Sequence, residues 1–411
     1  VLPETEAQVV DVMAICRQHG VPVIPRGAGT GLSGGARPHK DGVVLGLSKM
    51  NKILSIDPDN RVAHVQPGVR NLAISNAAKP HGLYYAPDPS SQIACSIGGN
   101  VAENAGGVHC LKYGLTVHNV LGVRVLTSDG DVMEIGGALY DNPGLDMLAL
   151  LCGSEGMLGI VTQVTVALLP EPEKKSVILA GFKQVTDAGN AVASIIGAGI
   201  IPAGMEMMDK LAVQAAEQFA HAGYPLDAAA ILIIELDGAE AELSAVTAQV
   251  IDHLNASGAY QIDQADDAET QARLWKGRKS AFPAVGRLSP DYICMDGTIP
   301  RHQLANVLTQ IDELSERFGL AVANVFHAAD GNLHPLILFD ANVPGQTDHA
   351  MAMGGEILQC CVAAGGTVTG EHGIGVEKLD TMCVQFTSDE LDQFFRIKDA
   401  MDPSGVLNPG K

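Results

Sequence analysis

The chain has 411 residues, of which 46% are hydrophobic. A chain of this length is too large for a single hydrophobic core, so two or three globular domains are expected. Its 26 Lys and Arg against 47 Asp and Glu give a formal net charge of −21, which argues against nucleic acid or anionic lipid as a direct partner. No apolar run reaches the roughly 18 to 20 residues that a membrane span requires.

The N-terminal segment predicts a helix, a buried strand and then a glycine-rich loop. Residues 4–19 carry apolar side chains at helical spacing, and residues 21–25 are a short apolar strand. The loop from Arg26 to Gly35 has five glycines in ten residues. Such a backbone can approach a ligand closely and present several N–H groups to one anion, for which a pyrophosphate is the natural guest.

Two further glycine clusters follow. Short alternating strands at 43–47, 53–57 and 61–65 favour an α+β fold over a doubly wound sheet. The second cluster spans residues 85–107, and the third, at 153–159, leads into an apolar strand at 160–169. Small residues and amides at such places can contact a flat polar ring system through the backbone.

Together, the three glycine clusters favour one dinucleotide-sized ligand over unrelated surface turns. They do not fit the strand–GxGxxG–helix pattern with an acidic residue about 20 positions later, nor a GxxxxGK[ST] phosphate loop. A nicotinamide site of the Rossmann type is therefore disfavoured.

The charged, Pro-rich stretch 170–175 is the best linker candidate, and the pattern changes after it. Helices are predicted at 188–197, 211–221, 240–255 and 302–318, and strands at 177–182, 230–236, 322–327 and 336–339. Paired β-α-β units of this kind indicate an antiparallel sheet with helices on one face. A last helix is predicted at 388–401.

The strongest chemical signal lies between residues 326 and 372. FHAADGNLHP offers His327 and His334, and GEHG offers Glu371 and His372. Two imidazoles and a carboxylate can bind a divalent metal, and a further histidine can move a proton. The alternative is a pair of strand-end histidines with ordinary hydrogen bonds in a protein core.

Six motifs in chain order make the chain resemble a known family. They are PRGAGTGLSGGA, APDPSSQIACSIGGNVAENAGG, GSEGMLGIVTQVT, NVFHAADGNLHP, GEHGIG and MDPSGVLNPGK. The chain resembles, over essentially its whole length, the FAD-linked D-2-hydroxyacid dehydrogenases of the vanillyl-alcohol-oxidase flavoprotein superfamily. With the stretch 274–301, the similarity is greatest to members that oxidise glycolate.

The resemblance implies an α+β fold with three segments. Residues 1–173 would form the N-terminal part of a two-subdomain FAD-binding domain of the vanillyl-alcohol-oxidase type. Residues 174–370 would form an α+β substrate or cap domain with an antiparallel sheet, carrying the metal-site histidines. Residues 371–411 would complete the FAD domain and the active site.

The resemblance also assigns residues that bind FAD. The flavin is expected to be noncovalent, because the first loop has Ala28 and Thr30 where some relatives attach it through a histidine. The implied FAD-binding residues are Arg26, Gly27, Gly29, Thr30, Gly31, Ser33, Gly34, Pro87, Asp88, Ser91, Gly98, Gly99, Asn100, Asn104, Gly106, Gly107, Gly153, Glu155, Gly156, Ile160, Val161 and Asn408.

By the same resemblance, His327, His334 and Glu371 would hold a zinc-like divalent metal, and His372 would be the general base. Arg278, in Trp275-Lys-Gly-Arg, is the first choice for the substrate carboxylate, with Arg287 as the weaker one. The following stretch 280–284 is largely apolar, whereas members acting on D-2-hydroxyglutarate have further polar residues there. This favours a small monoacid.

The implied reaction is the oxidation of glycolate to glyoxylate by hydride transfer to FAD N5, with electrons passed to a partner or a quinone. The resemblance implies a second flavin-type subunit and an iron–sulfur subunit as partners. The absence of a Cys-x-x-Cys pair among the eight cysteines agrees with a separate electron carrier. Two alternatives stay open. The chain could be an FAD-linked D-lactate dehydrogenase, or a flavin-holding subunit that is inactive without its complex.

The cysteine usage and the lack of a secretory segment predict a cytoplasmic protein, with any membrane association made through partner subunits. The chain begins at Val1 without a methionine, and we expect it to be the core of a longer protein. Three features are interpreted as structural: Glu206–Asp209 as a helix start, Cys360-Cys361 as buried small hydrophobes, and His109 with His118 beside the second glycine cluster.

Overall fold

The computed structural model describes residues 1–139 and 143–411, which form two compact units. Unit 1 consists of Val1–His109, Tyr113–Glu171 and Glu371–Lys411, and unit 2 consists of Cys110–Lys112 and Pro172–Gly370. The chain therefore leaves unit 1 within the predicted linker 170–175 and returns to it at Glu371.

The strands of the described residues are, in chain order, β1 (Val23–Arg26), β2 (Val43–Gly46), β3 (Ile53–Asp57), β4 (Val62–Val65), β5 (Leu83–Tyr84), β6 (Val120–Leu126), β7 (Val132–Gly136), β8 (Ile160–Ala167), β9 (Leu169–Pro170), β10 (Lys174–Phe182), β11 (Gly204–Asp209), β12 (Ala230–Gly238), β13 (Ala259–Ala265), β14 (Asp291–Cys294), β15 (Gly297–Thr298), β16 (Val322–His327), β17 (Asn332–Leu333) and β18 (Pro335–Phe339).

The helices are α1 (Glu6–His19), α2 (Asn71–Ala78), α3 (Ile97–Glu103), α4 (Cys110–Tyr113), α5 (Thr116–Asn119), α6 (Met147–Leu151), α7 (Val185–Gly197), α8 (Lys210–Ala220), α9 (Glu240–Ala256), α10 (Ala268–Lys279), α11 (Ala281–Val285), α12 (Leu304–Phe318), α13 (Gln346–Ala363), α14 (Met382–Gln385) and α15 (Ser388–Met401). Short 3-10 turns cover Lys79–His81, Arg301–Gln303 and Leu379–Thr381. No helix in these described residues has both the length and the apolar character needed to cross a membrane.

Unit 1 is built around an antiparallel sheet of the order β3-β4-β8-β6-β7, beside a parallel pair β1-β2. Helix α1 begins at the N-cap Thr5 and ends at Gly20, whose left-handed φ of 63° closes the helix. It buries Val9, Met13 and Cys16 in a cluster that also contains Leu407. The C-terminal tail reaches this cluster because Asn408 N donates to Val23 O at 2.8 Å.

Unit 2 contains a mostly antiparallel sheet of the order β13-β10-β12-β11-β16-β17-β15, from which β16 also pairs with β18 and β18 with β14. Apolar residues fill 177–180 of β10 and 230–234 of β12. Val177, Leu179, Ile231 and Ile233 pack with Ala-rich α8 in one core cluster. This long, nearly continuous apolar pairing is what a sheet with both faces covered requires. The predicted α+β fold class is confirmed.

One local prediction is wrong. Residues 204–209 form strand β11 and not the start of a helix, although Asp209 does cap the next helix, α8, by accepting a hydrogen bond from Ala212 N at 2.9 Å. Pairing with β12 and β16 on both sides decides the outcome, because it supplies the hydrogen bonds that the segment would otherwise form within a helix. This places Glu206 in the middle of a buried sheet.

Candidate functional site

A cavity of about 410 Å³ in unit 1 lies against the first glycine loop. This volume is within the range of small-molecule sites. Backbone packs tightly around it: a Cβ added to Gly68 would lie 2.5 Å from the Leu47 carbonyl oxygen. The lining residues are Gly27, Ala28, Ser48, Asn51, Ile53, Gly68, Val69, Arg70, Ala73, Ala94 and Ser96. Small side chains, exposed backbone and one arginine fit a phosphate-bearing ligand.

Of the residues predicted to bind FAD, Gly27 lines this cavity, and several others have a hydrogen-bonding role in the scaffold. Asn104 ends α3 in a left-handed conformation, and its side chain accepts from Val117 N at 2.9 Å. Buried Asn408 donates to Gly35 O at 2.9 Å and to Glu155 O at 2.7 Å. These amides hold glycine-rich segments of unit 1 in place.

Asp88, another predicted FAD residue, binds His109. The Asp88 carboxylate lies 2.9 Å from His109 Nδ1 and accepts from His109 N at 3.2 Å. His118, through its Nδ1, accepts from Leu115 N at 3.0 Å and so caps a short helix. Both contacts fit the structural interpretation of these two histidines.

Unit 2 carries a buried polar cluster that the sheet register brings together. In the antiparallel ladder, Glu206 of β11 is the direct partner of His327 of β16, and His327 is the partner of Asn332 of β17. Directly opposed residues project to the same face of a sheet. The rings of His327 and His334 are 5.1 Å apart between centroids, with an interplanar angle of 83°. Both histidines are buried.

Glu206 connects two of the predicted site residues. Its Oε1 lies 2.7 Å from His327 Nδ1, and its Oε2 lies 2.5 Å from an Arg278 guanidinium nitrogen. Burial acts to raise the pKa of Glu206, but the positive charge of Arg278 and the contacts with His327 outweigh it, so its pKa lies below the usual range. A carboxylate that holds Nδ1 fixes the tautomer and leaves Nε2 to face a ligand.

Asp296 has the matching place beside His334. Its Oδ1 lies 3.4 Å from His334 Nε2 and accepts from the Asn332 amide at 2.7 Å. Its Oδ2 accepts from the Thr369 hydroxyl at 2.6 Å and from Gly370 N at 2.9 Å. Asp296 is completely buried, and its hydrogen bonds join Asn332 to the end of the segment that precedes Glu371.

The two arginine candidates differ in environment. Arg278 is 2% exposed, and its Nε has no hydrogen-bond partner among the residues that the structure describes. A buried donor of this kind is costly unless an acceptor satisfies it. Arg287 instead lies on the surface and stacks on the Phe219 ring, 4.4 Å from its centroid. Apolar Phe282 packs edge-on against His334, with the ring centroids 6.0 Å apart.

Glu371 and His372 lie at the start of the C-terminal part of unit 1. Both side chains are mostly shielded from solvent, with exposed fractions of 15% and 14%, and Glu371 Oε1 lies 3.9 Å from His372 Nε2. The backbone carbonyl of His372 accepts from the Ser33 hydroxyl at 2.8 Å. The GEHG segment is thus tied to the first glycine loop.

Glu206 and Asp296 are the principal residues that sequence reasoning missed. Glu206 had a usable signal: it is a lone carboxylate in Gly204-Met-Glu-Met-Met, and a charge in an apolar strand needs a buried partner. Asp296 lies in Cys294-Met-Asp-Gly, which is typical of a turn and has no comparable signal.

Two family models match the chain. The FAD binding domain model matches residues 1–136, and the model of the C-terminal domain of FAD linked oxidases matches residues 171–411. Solved structures have the same fold: p-cresol methylhydroxylase with substrate bound aligns with a TM-score of 0.83 at 19% identity, covering 100% of this chain and 87% of that one. Alkyldihydroxyacetonephosphate synthase aligns with a TM-score of 0.78 at 18% identity, covering 100% and 75%.

Curated relatives match over the whole chain. Glycolate oxidase subunit GlcD of Escherichia coli strain K12 is 59% identical over 411 residues, covering 100% of this chain and 82% of the relative. The protein of the same name from Bacillus subtilis is 38% identical, covering 100% and 88%. A D-lactate dehydrogenase of Archaeoglobus fulgidus is 33% identical, covering 100% and 90%.

Proposed function

Since the chain belongs to the FAD-linked oxidases, we propose that it oxidises glycolate to glyoxylate and passes the electrons to a partner protein. It is an FAD-linked oxidoreductase. The observation that carries the choice of substrate is the 59% identity, over all 411 residues, to a protein named as a glycolate oxidase subunit.

Bound FAD would supply the acceptor for the hydride that leaves the substrate Cα. The chain contributes the cavity beside Gly27 and Arg70, where small side chains and backbone N–H groups would hold the phosphates. The rest of the cofactor would be held by the loops at 26–35, 87–107 and 153–161 and by the tail at Asn408. Asn408 and Asn104 would do so by fixing the loops through their side-chain hydrogen bonds.

His372 is the proposed base. A hydride leaves the carbon of an alcohol only as the hydroxyl proton also departs, so a proton acceptor must stand near the hydroxyl. A mostly shielded imidazole whose backbone is tied to the glycine loop by Ser33 suits this task.

His327 and His334 would bind a divalent metal, with Glu371 as the third ligand. A bound divalent ion would supply a Lewis acid that makes the hydroxyl more acidic and orients the substrate. The donor set fits, because the rings of the two buried histidines lie 5.1 Å apart between centroids and the buried carboxylate of Glu206 orients the ring of His327.

Arg278 would bind the substrate carboxylate through the buried Nε that Glu206 does not use. The stretch 280–284 after Arg278 is largely apolar, and its Phe282 packs edge-on against His334. A small monoacid therefore suits the site.

A relative with 59% identity is named as a subunit, which supports a partner protein. The partners proposed, from the family resemblance, are a second flavin-type subunit and an iron–sulfur subunit. We place the protein in the cytoplasm, with any membrane association made through these partners. D-Lactate is the second candidate substrate, favoured by the 33% identity to a D-lactate dehydrogenase.

The test is anaerobic mixing of the FAD-loaded chain with glycolate or D-lactate while flavin absorbance is followed. We expect flavin reduction by both acids with a higher limiting rate for glycolate, since one methyl group changes discrimination by about 1–3 kcal/mol. A clear preference for D-lactate would exclude the glycolate assignment. Absence of reduction by either acid would support the alternative of a flavin-holding subunit.

In the same experiment, His372→Ala should lower the rate of flavin reduction roughly 10²- to 10⁴-fold, the usual contribution of a general base. His302→Ala, at an exposed histidine in the turn before α12, is the matched control. An unchanged rate in His372→Ala would show that His372 is not the base. Metal analysis of wild type and His334→Ala tests the ion directly, and equal metal content would exclude His334 as a ligand.

A further inference from the structure

Glu103 and Glu155 lie close together in the interior of unit 1. Neither belongs to the proposed set of reacting groups. Glu103 is the last residue of α3, and Glu155 lies in the turn after α6. The turn runs along the end of α3, because Gly153 N donates to Val101 O and Glu155 N to Ala102 O, both at 2.8 Å. Glu155 has a left-handed φ of 50° and is 7% exposed. The turn therefore fixes the direction of its side chain.

The Glu155 carboxylate binds the loop that carries His372. Its Oε1 accepts from Ile374 N at 2.8 Å and from Gly375 N at 3.0 Å. On the other side of this loop, Ser33 binds the His372 carbonyl at 2.8 Å and accepts from Val376 N at 2.9 Å. One carboxylate oxygen and one serine thus fix the backbone of residues 372–376.

Glu103 lies beside Glu155 at the same loop. A Cβ added to Gly373, whose φ is 80°, would lie 2.6 Å from Glu155 Oε1 and 2.7 Å from Glu103 Oε2. A Cβ added to Gly35 would likewise lie 2.7 Å from Glu155 Oε2 and 3.0 Å from Glu103 Oε1. Both carboxyl groups therefore contact both loops. Glu103 Oε2 and Glu155 Oε2 have no hydrogen-bond partner among the described residues.

Burial raises the pKa of Glu103 to about 8, and the negative charge of Glu155 adds to this. Burial also raises the pKa of Glu155, but the amides of Gly375 and Ile374 and the charges of Lys378 and Lys411 oppose the rise. Glu103 therefore holds its proton at neutral pH, whereas the two amides and the lysine charges favour the ionised form of Glu155. These two lysines are the cations that act on the pair, and Arg37 acts in turn on Lys411.

We infer that Glu155 is a positioning residue for His372, and that Glu103, which lies beside Glu155 against Gly373 and Gly35, keeps the Glu155 carboxylate in place at the amides of residues 374 and 375. This inference rests on the proposed function for the role of His372. When Glu103 also loses its proton, two buried negative charges face each other across Gly373. The repulsion would loosen the two hydrogen bonds to residues 374 and 375.

The first test measures flavin reduction by glycolate in Glu155→Ala and Glu155→Gln. Loss of both hydrogen bonds in Glu155→Ala should lower the limiting rate roughly 10- to 100-fold, as expected for a group that orients a reacting residue, with a smaller change in the glycolate concentration at half-saturation. Glu155→Gln keeps an oxygen for the two amides and should recover most of the rate. Equal rates in Glu155→Ala and wild type would overturn the inference.

The second test is the pH profile. In wild type the rate should fall above a pH of about 8, because Glu103 then ionises beside Glu155. Glu103→Gln cannot ionise, so it should lack this alkaline decrease. The matched control is Asp312→Asn, which replaces a carboxyl group of unit 2 whose pKa is also raised. This variant should keep the alkaline decrease in rate. An alkaline decrease that persists unchanged in Glu103→Gln contradicts the inference.

The third test does not depend on the substrate. Amide hydrogen exchange of residues 372–376 in the FAD-loaded chain should be faster in Glu155→Ala than in wild type. In wild type, the increase in exchange rate from pH 7 to pH 9 should exceed the increase that intrinsic exchange chemistry predicts. If glycolate fails to reduce the flavin but this exchange behaves as expected, the proposed function is wrong and the positioning inference stands. Unchanged protection in Glu155→Ala, or in wild type at pH 9, would overturn it.

Discussion

The buried ion pair between Glu206 and Arg278 is the clearest residue-scale feature of unit 2. Side-chain exposure is 0% for Glu206 and 3% for Arg278, so neither charge can be solvated if the other is removed. The pair also determines the tautomer of His327 through the second oxygen of Glu206. Arg278 therefore has a structural task in addition to the proposed contact with substrate.

Substitutions of Arg278 should separate these two tasks. Arg278→Met leaves the Glu206 carboxylate buried without its cation and should reduce the free energy of unfolding by ~3–5 kcal/mol. Arg278→Lys keeps a cation near Glu206 but lacks Nε, so it should lose less stability while the KM for glycolate rises. The expected rise is about 10- to 100-fold, corresponding to the ~1.5–3 kcal/mol of a charged hydrogen bond.

Urea unfolding and steady-state kinetics measure the two effects. Glu206→Gln in the Arg278→Met background is the matched control, because removing the unpaired charge should restore part of the lost stability. If Arg278→Met unfolds at the same urea concentration as wild type, the ion pair has no structural role.

At the scale of elements, strand β15 and residues 366–370 form a tight contact that supports Asp296. Thr298 and Thr367 exchange backbone hydrogen bonds, each 3.1 Å, and their hydroxyl groups lie 2.6 Å apart. A Cβ on Gly366 would overlap the carbonyl group of Thr298. The segment can follow β15 this closely only because residue 366 has no side chain.

Gly366→Ala should therefore separate this segment from β15 and lower stability by about 1–3 kcal/mol, the usual cost of overpacking. Gly355→Ala is the matched control, because a Cβ there meets open space on helix α13, and it should stabilise the protein by ~0.4–1 kcal/mol. Thermal unfolding of the FAD-loaded chain measures both changes. Equal melting temperatures for the two variants would contradict the packing argument.

For the whole molecule, the residues predicted to bind the cofactor lie in one unit, and the histidines and the arginine proposed to bind metal and substrate lie in the other. The cavity beside the first glycine loop and every residue predicted to bind FAD belong to unit 1, whereas His327, His334 and Arg278 belong to unit 2. With a formal charge of −21, the protein repels anions at long range, so an anionic substrate depends on a local cation such as Arg278.

Addition of FAD to the cofactor-depleted chain should stabilise unit 1 preferentially. At 100 times Kd, binding contributes about 2.7 kcal/mol, and hydrogen exchange should show the added protection at 26–35 and 96–107. Segments of unit 2 such as β10 and β12 serve as the internal control. Added protection in unit 2 alone would contradict the placement of the cofactor.

The sequence predicted much of the fold and the ligand class. Helices α1, α9 and α15 and strands β3 and β16 were predicted within two residues of their observed ends, because periodicity, caps and turn residues depend on near neighbours. The glycine clusters indicated one dinucleotide-sized ligand and the family resemblance implied FAD, which the FAD binding domain match confirms. His327 and His334 were recognisable because they bracket a single turn.

Contacts between distant residues could be decided only by the tertiary structure. Glu206 lies 121 positions from His327 and Glu155 lies 219 from Ile374, and nothing near either glutamate in the chain specifies its partner. Strand register selects the first pair, since the residues that face each other across a sheet depend on how all of its strands bury their apolar sides. The second pair joins a turn to a loop, which only the packing of unit 1 brings together. The sequence by itself thus determined the elements, the cofactor class and the histidine motif. The tertiary structure decided which buried carboxylates hold the site residues in place.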